Sequence, residues 1–422
     1  ESRSIVGGGK LQLDIRPFTG LVISGVFSPK FNESRDKDFN KAVTYTPYDD
    51  PDGPKSFLAS ANTTDLTEVR TSSYSYTAQL FANYNKNWGK HYFGVMAGIE
   101  EFYNNWQNIS ASKADYITDY FPYLSAGPDD KVTAGNSAPY ENAYFSTYGR
   151  VTYNYDSRYY LQANFRADAS ARFAKNYRWG YFPSVSVGWV VSREGFMKDQ
   201  DVVSHLKLRA SYGNLGNERI GNYPYQTTMS FTSPSVFSGS SVIGVQGVTN
   251  SKLAIEDITW ETTTTYDIGA DLNFLGDRLT VNFDWYYKKT RNMLIELDIP
   301  SFMGYSAPDQ NAGDMNTKGW DLTLGWSDMI GDFSYGVNFN LSDYKSVMGD
   351  IGDKLTISGG TIIASGLEYK AWYGYRSDGI FQNADEVSQS AVTSATVQPG
   401  DIRFKDLSGA NGVPDGIINN DY

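Results

Sequence analysis

Between residues 104 and 130 the chain reads "NNWQNISASKADYITDYFPYLSAGPDD". Trp106, Tyr116, Tyr120, Phe121 and Tyr123 sit there among Asn, Asp and Ser. Flat aromatic faces suit sugar rings, and short polar side chains suit networks of hydroxyl groups. Trp106, Tyr116, Tyr120 and Tyr123 are therefore the candidate substrate-binding residues. The competing roles are an interfacial aromatic girdle and plain loop packing. A second group, Arg166, Asp168 and Arg172, reads as a salt network in a lumen or at a loop base rather than as a catalytic site. No G-x-S-x-G elbow and no phosphate-binding glycine loop occurs. Nothing in the sequence supports an enzyme. The chain has no cysteine, and His91 and His205 are its only histidines. A Cys-based or His-rich metal site cannot be built from these. A net charge of −12 argues against broad nucleic-acid binding.

The elements that position these residues announce themselves by alternation. From Tyr159 one face reads Tyr159, Leu161, Ala163, Phe165, Ala167, and the other Tyr160, Gln162, Asn164, Arg166, Asp168. Runs from Leu279 and Phe333 alternate in the same way, as do "SVSVGWVVS", "LKLRASYG" and "WDLTLGWS". Many runs reach about 9–11 residues, the length of a tilted strand that crosses a bilayer. The apolar faces carry no charge along their middles. Arg193, Asp328 and Asp343 enter that register only at its ends. The opposite faces accept Arg150, Arg166, Asp168, Lys207, Arg209, Asp271 and Asp284. A cation facing lipid at mid-bilayer costs roughly 2–4 kcal/mol, which falls toward zero at the interface. The mean hydropathy of −0.44 does not conflict with this, because alternating strands average out to polar.

Connections alternate between short and long. Residues 17–20, 85–90, 156–158, 276–277 and 328–332 are short. Residues 29–72, 105–142, 170–182, 214–261, 289–318 and 344–368 read as long loops. In an up-and-down meander this puts the long loops at one end, as in outer-membrane barrels. The segment 193–205 fills a short-turn slot but is longer, with a helical turn expected at the periplasmic rim. The whole of 1–422 reads as an all-β, transmembrane antiparallel up-and-down β-barrel, present in part. Its two ends read as those of an internal piece, with a mature protein with plain ends as the alternative. A soluble β-sandwich also explains alternation, but with shorter strands and loops at both ends.

The stretch 144–198, "YFSTYGRVTYNYDSRYYLQANFRADASARFAKNYRWGYFPSVSVGWVVSREGFMK", resembles the SusC/RagA-like family of TonB-dependent outer-membrane transporters. The matching residues are Arg166, Asp168, Ser170, Arg172 and Phe173, then Trp179 to Ser184, then Leu206 to Gly213. Gly216, Asn217 and Ile220 to Tyr223 follow. Further matches lie at 84–100, 260–290, 313–326 and 399–409, in family order. The resemblance implies a barrel of about 22 strands with a plugged lumen. It also implies a SusD-like surface lipoprotein as lid, TonB acting through a plug outside this chain, and outer-membrane lipid around the wall. Import of oligomeric nutrients follows as the expected function, with glycans foremost and oligopeptides as the RagA-like alternative. A soluble all-β carbohydrate-binding or adhesive protein is the remaining alternative.

The family often carries a D-x-N-x-D-G-x-I-x-x-x-D calcium loop where this chain has "DLSGANGVPDGIINND". Asp406, Ser408, Asp415 and Asp421 are the implied ligands, since alternating oxygen donors can wrap a hard cation. The spacing is broken by several residues, and an Asx–Gly turn without metal uses the same residues. No cofactor is required for transport itself. Trp179, Tyr181 and Trp189 are expected in the barrel wall or its girdle.

Overall fold

The computed structural model describes all residues except 47, 49–51, 54, 59–61, 233–234, 239–240, 246, 297–298, 301, 303, 353, 408–413, 415 and 419–422. Residues Glu1–Lys345 form one compact unit and Ser346–Tyr422 a second. The first is dominated by a 14-stranded antiparallel sheet in which chain order is sheet order.

The strands are β1 (Ser2–Gly8, resumed at Leu11–Ile15), β2 (Leu21–Asn40), β3 (Asp65–Trp88), β4 (His91–Lys113), β5 (Tyr140–Tyr155) and β6 (Tyr159–Ser170). They continue as β7 (Trp179–Val190), β8 (Val203–Asn217), β9 (Glu261–Phe274), β10 (Leu279–Arg291), β11 (Asp314–Ile330) and β12 (Phe333–Met348). A short strand, Val132–Gly135, adds to the far end of β4.

Cross-strand register turns alternation into continuous faces. Leu161 pairs with Val187, Trp189 with Leu208, Leu208 with Ala270, and Ala270 with Phe283. Phe283 then pairs with Leu322. That apolar row is solvent-exposed at Leu161, Val187, Leu208 and Phe283, so it is an outward face without a protein cover. The opposite, inward face carries Arg150, Arg166, Asp168, Arg209, Asp271 and Asp284 on these strands.

Short connections are built as reversals. Asp156 and Ser157 both have φ near +50° (51° and 52°), the geometry of a type I′ turn that matches strand twist. The segment after β7 contains two 3-10 turns, Val191–Arg193 and Gly195–Met197, in agreement with the helical turn expected there.

The long connections are shorter than alternation predicts. β2 runs to Asn40, and β3 begins at Asp65 rather than after 72. β4 runs to Lys113 instead of ending near 105, and β11 begins at Asp314. In "TEVRTSSYSY" both faces are polar, so alternation fades while the backbone ladder continues. Residues 218–260, between β8 and β9, themselves contain the hairpin Thr228–Thr232 with Gly247–Lys252.

A buried apolar cluster lies where the outer end of β7 meets the loops. Phe173, Phe182, Ile258 and Trp260 form it, flanked by Ile220, Ile255 and Leu294. The second unit contains a three-stranded sheet, Thr356–Ser358, Thr361–Ile363 and Ala371–Trp372, and a strand pair, Ser377–Ile380 with Ile402–Phe404. Its one-and-a-half-turn helix α1 (Ala384–Gln389) is capped by Asn383, whose side chain accepts from the Glu386 N–H at 2.9 Å. No helix among the described residues is long and apolar enough to cross a membrane, which says nothing about strands.

Candidate substrate-binding face

Three successive inward rungs on β3, β4 and β5 place aromatics and amides together. Ser73, Trp106 and Tyr140 share one rung, and Ser75, Asn104 and Asn142 the next. Thr77, Phe102 and Tyr144 make the third. Trp106 stacks on Tyr140 (5.5 Å between centroids, 17° between planes) and Phe102 on Tyr144 (4.9 Å, 17°). Rungs on one face lie about 7 Å apart, so two flat aromatic pairs bracket a band of amide and hydroxyl groups.

Trp106 is thus in a position to meet a ligand in the lumen, while the other candidates are not on that face. Phe39 and Leu66 share the outward parity of Ile23 and Leu80, and the loop after β4 packs against them. Tyr116 is buried there, edge-on to Phe39 at 5.7 Å, and its hydroxyl donates to the Tyr123 carbonyl at 3.1 Å. Burial raises that hydroxyl's pKa. Tyr123 is exposed, with the Lys37 ammonium 4.8 Å from its ring centre. Tyr120 is exposed as well, on the same loop. Lys113 ties the loop down by donating to the Gly127 carbonyl (3.0 Å) and to Asp129 (2.9 Å). That hydrogen bond holds the Asp129 carboxyl below its usual range. The sequence showed an aromatic loop but not which side of the wall it lies on. Phe102, Tyr140 and Tyr144 were missed because only cross-strand register brings them to Trp106.

Deeper on the inward face are two ion networks. Arg166 donates to Asp168 at 2.7 Å, to Glu100 at 3.0 Å and to the Ser146 hydroxyl at 2.8 Å. Arg209 bridges Asp271 (2.8 Å) and Asp284 (3.1 Å). Gly269 leaves room for that bridge, since a Cβ there would lie 2.1 Å from Asp284 Oδ1 and 2.9 Å from Arg209 Nη2. The expected pairing of Arg166 with Asp168 is present. Arg172 does something else: its Nη1 donates to the Glu218 and Ile220 carbonyls at 3.1 and 3.2 Å.

Arg172 is one of several clamps around the buried loop cluster. The Trp260 indole N–H donates to the Arg178 carbonyl at 2.8 Å, and the Thr259 hydroxyl to the Tyr177 carbonyl at 3.0 Å. Asn311 accepts from the Thr259 N–H at 2.6 Å and donates to the Thr259 carbonyl at 2.8 Å. Three long connections, 171–178, 218–260 and 292–313, thereby share one hub. Trp179, Tyr181 and Trp189 stay outside it, exposed on the outward face as expected of wall or girdle residues.

A family model described as "TonB dependent receptor-like, beta-barrel" matches residues 16–416. The chain belongs to that family. The receptor barrel is 30% identical over 343 residues to TonB-dependent receptor P3 of Formosa agariphila, a match covering 78% of this chain and 34% of that protein. It is 27% identical over 349 residues to TonB-dependent receptor SusC of Bacteroides thetaiotaomicron, covering 75% and 32%. Among solved structures, the RagAB peptide importer in its open-open state aligns with a TM-score of 0.80 at 22% identity, covering 100% of this chain and 43% of that one. The chain spans about a third of the length of these two curated relatives. Members are outer-membrane β-barrel transporters, not enzymes, so the outward face is the lipid face of a barrel wall and the soluble all-β reading is removed.

Of the implied calcium ligands of the receptor barrel, Asp406 is described, while Ser408, Asp415 and Asp421 lie outside the described residues. Asp406 Oδ2 accepts from the Gly416 N–H at 2.7 Å. Its Oδ1 is buried without a hydrogen-bond partner among the described residues.

Proposed function

We propose that this chain forms wall, lumen face and extracellular loops of a TonB-dependent importer of oligomeric nutrients, with glycans as cargo. The observation that carries the cargo class is the inward rung set: Trp106–Tyr140 and Phe102–Tyr144 on either side of Ser75, Asn104 and Asn142. Aromatic faces meet the C–H faces of pyranose rings, and amides and hydroxyls meet their equatorial hydroxyl groups. In this reading a SusD-like lipoprotein closes over the loops, and TonB pulls on a plug to open the path. Binding and release are conformational, so no bond is made or broken by the wall. The hub at Trp260 fixes the loop bases on which such a lid would rest.

Oligopeptide cargo is the second reading. It is favoured by the fold likeness to RagAB, described as a peptide transporter. The two separate on one experiment with the full-length protein and its lipoprotein in detergent. Oligosaccharide and oligopeptide pools are offered together, and bound material is identified by mass spectrometry. Trp106→Ala is expected to weaken retention of the oligosaccharide about tenfold. Exclusive retention of peptides would reverse the assignment.

We further propose that Asp406 contributes to a calcium site in the second unit. Its Oδ1, buried and without a hydrogen-bond partner among the described residues, fits a hard-cation donor. Calcium, when bound, would be a partner for that oxygen. Calcium added after chelation is expected to raise the melting temperature, and Asp406→Asn to abolish the rise. An equal rise with magnesium would remove the site from calcium's account.

A further inference from the structure

On the outward face, Arg3 of β1 pairs directly with Arg35 of β2, and Arg35 directly with Arg70 of β3. Three guanidinium side chains therefore share one rung across three adjacent strands. Like charges directly opposite one another destabilise a sheet. The acidic neighbours only partly offset this. Arg35 and Lys37 share one carboxylate, Glu68, at 3.0 and 3.5 Å. Arg3 pairs with Glu1, and Glu33 stands one rung below. The side chains of Arg3 and Arg35 remain 79% and 50% exposed.

The rung also has a defined height. Ile5, Phe31 and Tyr74, all exposed, are the outward apolar residues next below the rung on the same three strands, while Phe39 and Leu66 beyond it lie under the loop after β4. Arg3 is two residues beyond Ile5, about 7 Å, and Arg35 four beyond Phe31, about 13 Å. It lies at the ends of β2 and β3 that lead into a long connection, which is the extracellular side of such a barrel. Beside it, Arg3, Arg35, Lys37, Glu1 and Tyr123 line a cavity of about 210 Å³. A second cavity next to Arg70 is lined by Glu33, Gln107 and Ile109.

We propose that this rung holds the phosphorylated sugar headgroup of an outer-leaflet glycolipid. The guanidinium forks bind phosphate oxygens two at a time, and their aliphatic stems reach down to the headgroup plane. The exposed Tyr123 ring offers a face to the attached sugar. Basic residues just beyond a membrane's apolar band attract anionic lipid. The site faces away from the lumen and does not depend on which cargo the importer carries.

The test uses the full-length protein, delipidated in detergent. Thermal melting is followed with lipid A (a phosphorylated glucosamine-disaccharide lipid), with its dephosphorylated form, or with inorganic phosphate. Lipid A is expected to raise Tm, and the other two to leave it unchanged at the same concentrations. Arg35→Gln with Arg70→Gln is expected to raise the half-saturating lipid A concentration at least tenfold. Arg70→Gln alone, at an exposed position that leaves the fold intact, is expected to raise it at least threefold. Unchanged half-saturation in both variants overturns the proposal. So does an equal effect of dephosphorylated lipid, which means apolar contact alone, or of inorganic phosphate, which means a headgroup-independent anion site.

Discussion

At the scale of single residues, the inward face shows how little space the ion networks leave. Gly269 lies under the Arg209–Asp284 bridge, where any Cβ would overlap a carboxylate oxygen. Gly269→Ala must displace one partner of the bridge or bend the strand. Overpacking of this kind costs about 1–3 kcal/mol. The expected outcome is an earlier loss of the folded band in heat-modifiable gel mobility, with Gly25→Ala, where a Cβ meets nothing within 4 Å, as the comparison. Equal mobility of Gly269→Ala and wild type up to the melting point would mean the bridge is unimportant. Arg166 and Asp168 were legible as a pair because parity puts them on one face two residues apart. Glu100, the third member, was not, since it comes from β4 through register that no local pattern encodes.

At the scale of elements, the hairpin β6–β7 and its loop act as an anchor for two further connections. Phe173 and Trp260, with ring centroids 5.4 Å apart, are both buried. Removing a buried Trp costs about 3–5 kcal/mol. Trp260→Ala is therefore expected to raise amide exchange in 171–178, 218–260 and 292–313 together, with the β6–β7 ladder protected as before. Loosening of 218–260 alone would show that the hub does not couple them. Below the membrane, Glu194 accepts from the Tyr159 hydroxyl at 2.6 Å and from the Trp189 indole at 3.0 Å. Those hydrogen bonds, the Tyr159 one first, lower its pKa. A lowered carboxyl pKa adds stability above the unfolded value and loses it as pH falls through the folded one. Exchange protection in 191–202 is expected to drop on acidification past the ordinary carboxylate range, and Glu194→Gln to remove that dependence. The strands were readable from alternation wherever one face meets lipid. Their outer extensions were not, because both faces there meet water and the period-two signal vanishes. Trp106, read as a loop residue, lies on β4 for the same reason. Tyr116 and Tyr123 are in the loop that composition marks, whereas the side of the wall is set by the strands it folds onto.

At the scale of the whole molecule, the membrane separates the two faces by energy. Val187 points outward and Ser186 inward from the same strand. Arg at a lipid-facing mid-bilayer position costs roughly 2–4 kcal/mol, and none of that applies in a wet lumen. Val187→Arg is expected to lower the amount of heat-stable barrel recovered from outer membranes several-fold, and Ser186→Arg to leave it near wild type. Equal recovery of the two variants would contradict the assignment of faces. The family was recognisable from many short motifs in order, no one of them specific. Cargo was not recognisable, because the residues proposed to meet it come together only across strands.

The ladder between β2 and β3 pairs Leu21 with Tyr84 and continues without a register break to Asn40 and Asp65. Such a ladder has a consequence for how the gene can change. Loss or gain of one codon within it turns every subsequent side chain from oil to water. Length can drift freely in the connections, but within the wall it is quantised in pairs of codons, or must be repaired by a bulge. Related barrels should therefore differ by even numbers of residues inside these strands and by any number between them.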